Sequence, residues 1–186
     1  MALCREQGVS FFLANGTIMH GWALAAQGRR AEGMTQMRQG MATLRAIGVG
    51  VLLPRDHTIL AEAYGESGQA EEGLRLLAEA LTTADHQGMH LWEPELYRIK
   101  GELLLRQCVP DAPEAERCFR QAHDSAHRQE AKSLELRAAM SLSRLWQQQG
   151  KGDQARELLA PIYGWFTEGF DTADLQEAGA LLEALA

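Results

Sequence analysis

The sequence predicts an all-α helical solenoid of about four hairpins closed by a C-terminal capping helix. Three observations carry this expectation. A phrase made of a small residue, a turn glycine and a second small residue returns about every 40 residues, as GWALAAQGRRAEGMTQM from Gly21, AEAYGESGQAEEGLRLL from Ala61 and SRLWQQQGKGDQARELL from Ser143. The turn glycines Gly28, Gly68 and Gly150 stand 40 and then 82 residues apart, so one more copy is due before the last. GELLLRQCVPDAPEAERCF from Gly101 supplies it, with a longer Pro-containing turn. Apolar positions from about residue 9 to residue 166 recur at helical spacing, and no alternating β-branched run competes. Units of this kind expose an apolar face that only a neighbouring unit covers.

The first hairpin is expected at 9–27 and 30–47, broken by Gly28 and ended by Gly48, Gly50 and Pro54. The second takes 53–67 and 70–87 around Gly68 and stops at Gly88. The third takes 91–107 and 112–129; Asp111 before Ala112, Pro113 and Glu114 suits an N-cap with Pro and an acid in the first turn. The fourth takes 131–149 and 152–166 around Gly150 and Gly152. After Gly169 a capping helix is expected at 173–185, with Asp171 or Thr172 as its cap. Together these make one helical-repeat domain over 1–186.

Glycine inside a helix costs about 1 kcal/mol relative to alanine, so Gly21, Gly33, Gly73 and Gly101 need an offset. Close approach of two helix backbones provides one, and Ala61, Ala115, Ala122 and Ala155 suit the same role. Leu24, Tyr64, Leu104 and Trp146 on first helices, with Met37, Leu77, Phe119 and Leu159 on second helices, are expected to fill the layer between hairpins.

Composition narrows the function classes. Hydrophobic residues make 46% and charged residues 23%, and no apolar run approaches the roughly 18 residues of a membrane span. MALCREQG lacks the basic and long apolar segments of a secretory signal, so a cytoplasmic location is expected. A net charge of -7 argues against nucleic acid, whose binding needs a Lys/Arg surface that releases counterions. Cys4, Cys108 and Cys118 are odd in number and form no C-x-x-C, which indicates reduced thiols, with Cys118 a buried small hydrophobe beside Phe119.

The repeated pattern, with an aromatic or Leu three residues after the first small residue and Ala, a large apolar residue and Ala after the turn, resembles the tetratricopeptide repeat. Its period is longer than the usual one and is similar to that of superhelical sensor regions in bacterial signal-transduction ATPases. HLWEPELYRIKGELLL (90–105), ELRAAMSLSRLWQQQGK (135–151) and LLAPIYGWFTEGFDTADLQEAGALLEAL (158–185) resemble the carboxy-terminal repeats of large bacterial regulators. In those proteins an AAA-type NTPase and an adenylate/guanylate cyclase-like or other output domain precede the repeats. The resemblance covers nearly the whole chain, most strongly from about residue 55, and implies an α-α superhelix that is a fragment of a longer chain. MALCREQGVSFF would then be the tail of a preceding helix, and Phe11, Phe12 and Leu13 would lie on a cut face open to dimerisation.

No catalytic, cofactor or metal residue is assigned. Gly150-Lys151 lacks the Gly-rich loop of a phosphate cradle. His86 with His90, and His123 with His127, have the i,i+4 spacing of a metal pair, but the first spans Gly88 and the second lacks an H-E-x-x-H acid, so a solvated surface is expected. Glu93, Glu95 and Glu102 could be paired hydrolytic carboxylates, but Glu95 with Arg98 and Glu102 with Arg106 sit three and four apart and are better explained as ion pairs.

A groove is the candidate site. If first helices line a concave surface, as the resemblance implies, they project Asn15 and Trp22, then Arg55, Thr58, Glu62 and Glu66, then Glu95, Arg98, Glu102 and Arg106, then Arg137, Met140, Arg144 and Gln147. Both charge signs and an aromatic face suit a protein or peptide segment, or a polar small-molecule effector held by Arg forks. The expected role is a non-catalytic interaction and sensing module of a larger bacterial regulatory ATPase, with an effector sensor or a self-associating spacer as alternatives.

Overall fold

The computed structural model describes residues 9–49 and 53–186; the expectations for MALCREQG and Cys4 lie outside the described residues. All regular structure among the described residues is helical. Two compact units divide between Trp92 and Glu93.

The first unit contains α1 (Ser10–Ala26), α2 (Arg30–Ala46), α3 (Leu53–Glu66) and α4 (Ala70–Gln87), followed by a 3-10 turn at His90–Trp92. α1 packs on α2 and α3 on α4, while α3 also meets α1 and α2. Met34, Met37, Met41 and Leu44 form the buried stripe of α2 and close on Ala14, Ile18 and Ala25 of α1 and on Leu60 and Ala63 of α3. The close approach is between backbones. A Cβ at Gly21 would lie 2.6 Å from the carbonyl oxygen of Gly33 and 2.9 Å from the backbone nitrogen of Met37, and one at Gly33 would meet the Gly21 carbonyl in return. Gly40 repeats the device against Ile18 and the Ala14 carbonyl.

The second unit contains α5 (Glu93–Leu105), α6 (Ala112–Arg128), α7 (Lys132–Gln148), α8 (Gly152–Tyr163) and α9 (Ala173–Ala184). α6 packs on α5 and α7, α8 on α7, and α5 lies beside α7; α9 rests on α7 and α8. Leu136, Ala139, Met140, Leu159, Ile162, Leu175, Ala178 and Leu181 form its core at that end. Gly101 differs from the expectation of backbone contact: a Cβ there would meet the ring of Phe119 at 2.5 Å.

Turn chemistry follows the glycines. Gly28, Gly68 and Gly150 have φ of +88°, +73° and +73°, left-handed values that cost a side chain roughly 1–2 kcal/mol. Asp111 caps α6 by accepting from the Glu114 N–H at 3.0 Å. Between α6 and α7 a non-glycine, Glu130, takes the left-handed position at φ +55°.

The differences in boundary have local causes. Pro94 has no N–H to bond back to the carbonyl of His90, so the expected start at 91 is a 3-10 turn and α5 begins at Glu93. α8 stops at Tyr163 rather than 166, just after Pro161 removes a donor from its last turn. Thr172 occupies the N-cap of α9, but its hydroxyl donates to the Gly169 carbonyl at 2.7 Å instead of accepting from the helix.

Candidate functional site

Within the first unit, Asn15 of α1 and Arg55 of α3 come together across the two first helices. The Arg55 guanidinium donates to the Asn15 carbonyl at 3.0 Å and to Asp56 at 2.6 and 3.0 Å. Asp56 is fully buried, and burial raises its carboxyl above the ordinary value despite Arg55. Thr58 is buried rather than projecting into a groove, because its hydroxyl turns back to the Arg55 carbonyl at 2.6 Å. Glu62 is half-buried, and Glu66 pairs with Arg30 of α2 at 3.5 Å. Trp22 stands 50% exposed.

The second unit gathers its expected residues more tightly. Arg98, whose side chain is 12% exposed, donates to both oxygens of Glu95 at 2.9 and 2.6 Å and to Glu102 at 2.5 Å. Ser141 of α7 donates to the same Glu102 oxygen at 3.1 Å. Arg137 spans from Glu95, at 3.6 Å, to Asp174 of α9 at 2.7 Å, and Arg144 donates to Glu177 of α9 at 2.8 Å. Gln147 reaches the Ala184 carbonyl at 3.4 Å. A continuous charged ladder therefore crosses α5, α7 and α9. Burial alone would raise the Glu95 carboxyl, but Arg98 and Arg137 together hold it below its ordinary value.

Met140 is the exception: it faces the core with Leu136 and Leu159 and contributes nothing to the ladder. Its position one turn from Arg137 and Arg144 is the same stripe by sequence, yet α9 covers that side of α7. Asp174, Glu177 and Ser141 were missed by sequence reasoning. Ser141 could have been found at i+4 from Arg137, whereas the two acids carry no signal until α9 is placed.

Beside the ladder a cleft of about 300 Å³ opens between α5, α6 and α7. Phe119, Leu105 and Leu145 supply its apolar lining, and Glu102, Ser141, Gln148, Arg106 and Arg144 its polar rim. Arg106 reaches Glu102 only at 3.9 Å and keeps its side chain 43% exposed. Arg forks above an apolar floor can hold a carboxylate or phosphate attached to an apolar body.

The His123–His127 pair has partners that its spacing did not show. His123 and His127 stack with ring centroids 6.2 Å apart, and His127 Nδ1 lies 2.9 Å from Oε1 of the buried Glu135. Lys132 donates to the other Glu135 oxygen at 2.7 Å. Burial would raise Glu135, but Lys132 and His127 hold it below the ordinary value. The pair is thus tied to α7, with the His127 side chain 66% exposed and that of His123 20%, and among the described residues no group of three or more His, Cys, Asp or Glu is arranged to hold a metal ion. Cys118 is buried, which pushes its thiol up, while Cys108 is exposed. No helix among the described residues is long and apolar enough to cross a membrane.

Compared with known proteins, the chain matches no family model and no curated protein.

Proposed function

We propose that this chain is a non-catalytic interaction and sensing module, a tetratricopeptide-like α-α superhelix serving a larger bacterial signalling ATPase and binding a protein segment or a neighbouring domain. The observation that supports it best is the cleft beside the charged ladder of the second unit, where Arg106 and Arg144 flank an apolar lining that includes Phe119. An extended segment carrying an acidic residue next to an apolar one matches that surface, with the apolar side chain against Leu105 and the charge on the arginines. The recurring small-residue phrase and its left-handed turn glycines support the repeat reading.

The volume of about 300 Å³ favours a second reading, a small anionic effector, because it falls at the lower end of small-molecule sites. Capture from a bacterial lysate, reading retained proteins and metabolites together, separates the two. The comparison is the parent against an Arg106→Glu, Arg144→Glu double variant. Arg98 is unsuitable for this purpose, since reversing it would set three acids together. Selective loss of a protein from the variant supports the first reading and selective loss of a metabolite the second. Equal retention, or nothing retained, overturns both.

A further inference from the structure

We propose that the outward face of α1 is a seam that pairs two copies of this chain antiparallel about a two-fold axis. α1 contains no Asp, Glu, Lys or Arg, unlike every other α-helix of the described residues. Ala14, Ile18, Gly21, Leu24 and Ala25 are its buried residues. Turned away from these, Val9, Phe12, Gly16, Met19, Ala23 and Ala26 recur at alternating steps of three and four, the a and d spacing of a helix-pairing seam. Phe12 is 62% exposed, Met19 38% and Val9 37%; Ala26 is exposed, and Gly16 and Ala23 are partly so. A helix apolar on both sides is built for burial on both sides.

Two features make a second copy the occupant. The first is charge. The chain carries a net -7, so copies repel over most of their surface, but the seam and its flanking positions Leu13, Asn15, His20 and Trp22 hold no formally charged residue, with the Arg55 guanidinium bordering the flank at Asn15. The second is size. With Gly16 opposite Met19 of the second copy, Phe12 falls opposite Ala23 and Val9 opposite Ala26, so every layer sets a large residue against a small one. Parallel pairing would set Phe12 on Phe12 and Gly16 on Gly16, alternating clash with void. The antiparallel arrangement is also the self-complementary one a two-fold dimer requires. One helix face is smaller than the roughly 800 Å² per partner of a standard interface, so the pairing is a weak one.

Sedimentation of the 186-residue chain across a concentration series up to about 100 µM tests the pairing. The expected result is a monomer–dimer equilibrium that Met19→Glu abolishes and that Ala26→Glu abolishes independently, with helical circular dichroism unchanged because both positions face solvent in the single chain. A monomer throughout the series overturns the proposal and leaves the face to a different helix. So does a dimer that both variants retain. Orientation is read by oxidising Phe12→Cys and Ala23→Cys proteins, each with Cys4→Ser and Cys108→Ser. The antiparallel seam gives a disulfide dimer when the two are mixed; absence of that product, or efficient dimerisation of either alone, overturns the register.

Discussion

In the unit that ends at Trp92, α1 and α2 meet backbone against backbone at Gly21 and Gly33, whereas in the unit that begins at Glu93 the corresponding Gly101 receives the ring of Phe119. The buried stripe of the first pair is three methionines and a leucine; that of α6 is Ala115, Cys118, Phe119, Ala122 and Ala126. Polar groups differ in the same sense. The first unit buries a carboxylate, Asp56, with one oxygen lacking a hydrogen-bond partner, while the second pairs Glu95 with Arg98 and Arg137 and holds Glu135 between Lys132 and His127. One small-residue phrase thus serves two packing solutions: one fixed by main chain, which does not yield, and one by side chains and charge, which can shift.

The largest expected effect tests that contrast directly. Gly33→Ala gains helix propensity of about 1 kcal/mol but drives a Cβ into the Gly21 carbonyl and the Ala25 backbone, for a net loss of about 3 kcal/mol. Gly101→Ala meets a ring instead, and its net loss is about 1 kcal/mol. Denaturant midpoints of the two variants check this, and equal losses would break the comparison. Next comes Arg98→Ala, which strands Glu95 and Glu102 in a half-buried setting and costs about 2 kcal/mol in the same assay.

Acid sharpens the contrast with a smaller effect. Glu95 and Glu135 are held below the ordinary glutamate value, so their stabilisation is complete above about pH 4.3 and is lost as pH falls through their lowered values. Asp56 is raised, so its ionisation penalises the folded first unit as pH rises through that value, and acidification relieves it. Hydrogen exchange followed helix by helix from pH 6 to pH 3 should therefore show α5 and α7 losing protection before α3, after correction for the intrinsic rate. The reverse order would contradict the assignment of charges. Smallest is Glu130→Gly, which removes a left-handed side chain and raises stability by up to about 1 kcal/mol in thermal unfolding.

The helices were largely legible in the sequence because their punctuation is chemical: a glycine at a left-handed turn, or Asp111 followed by Pro113, needs no tertiary information. Gly21 and Gly33 were legible as close-approach sites for the same reason. The partner of Gly101 was not, because a ring reaching across from α6 leaves no local signature at residue 101. The ladder was partly legible, since Glu95, Arg98 and Glu102 share one stripe of α5. Its continuation to Asp174 and Glu177 depends on where α9 lies, and the burial of Met140 and Thr58 on what covers them. The His123–His127 pair misled for a related reason: spacing announced two imidazoles on one face, but Glu135 of the next helix decides what they do.

Phe119 connects packing to recognition. The ring that keeps α5 and α6 at their separation under Gly101 also lines the cleft below Arg106 and Arg144. The ring itself is buried, so a guest in the cleft would close over the hairpin's own spacer, and occupancy and melting temperature should move together. The hairpin would then work as a strain gauge, converting a chemical event at its mouth into a mechanical reading along α5.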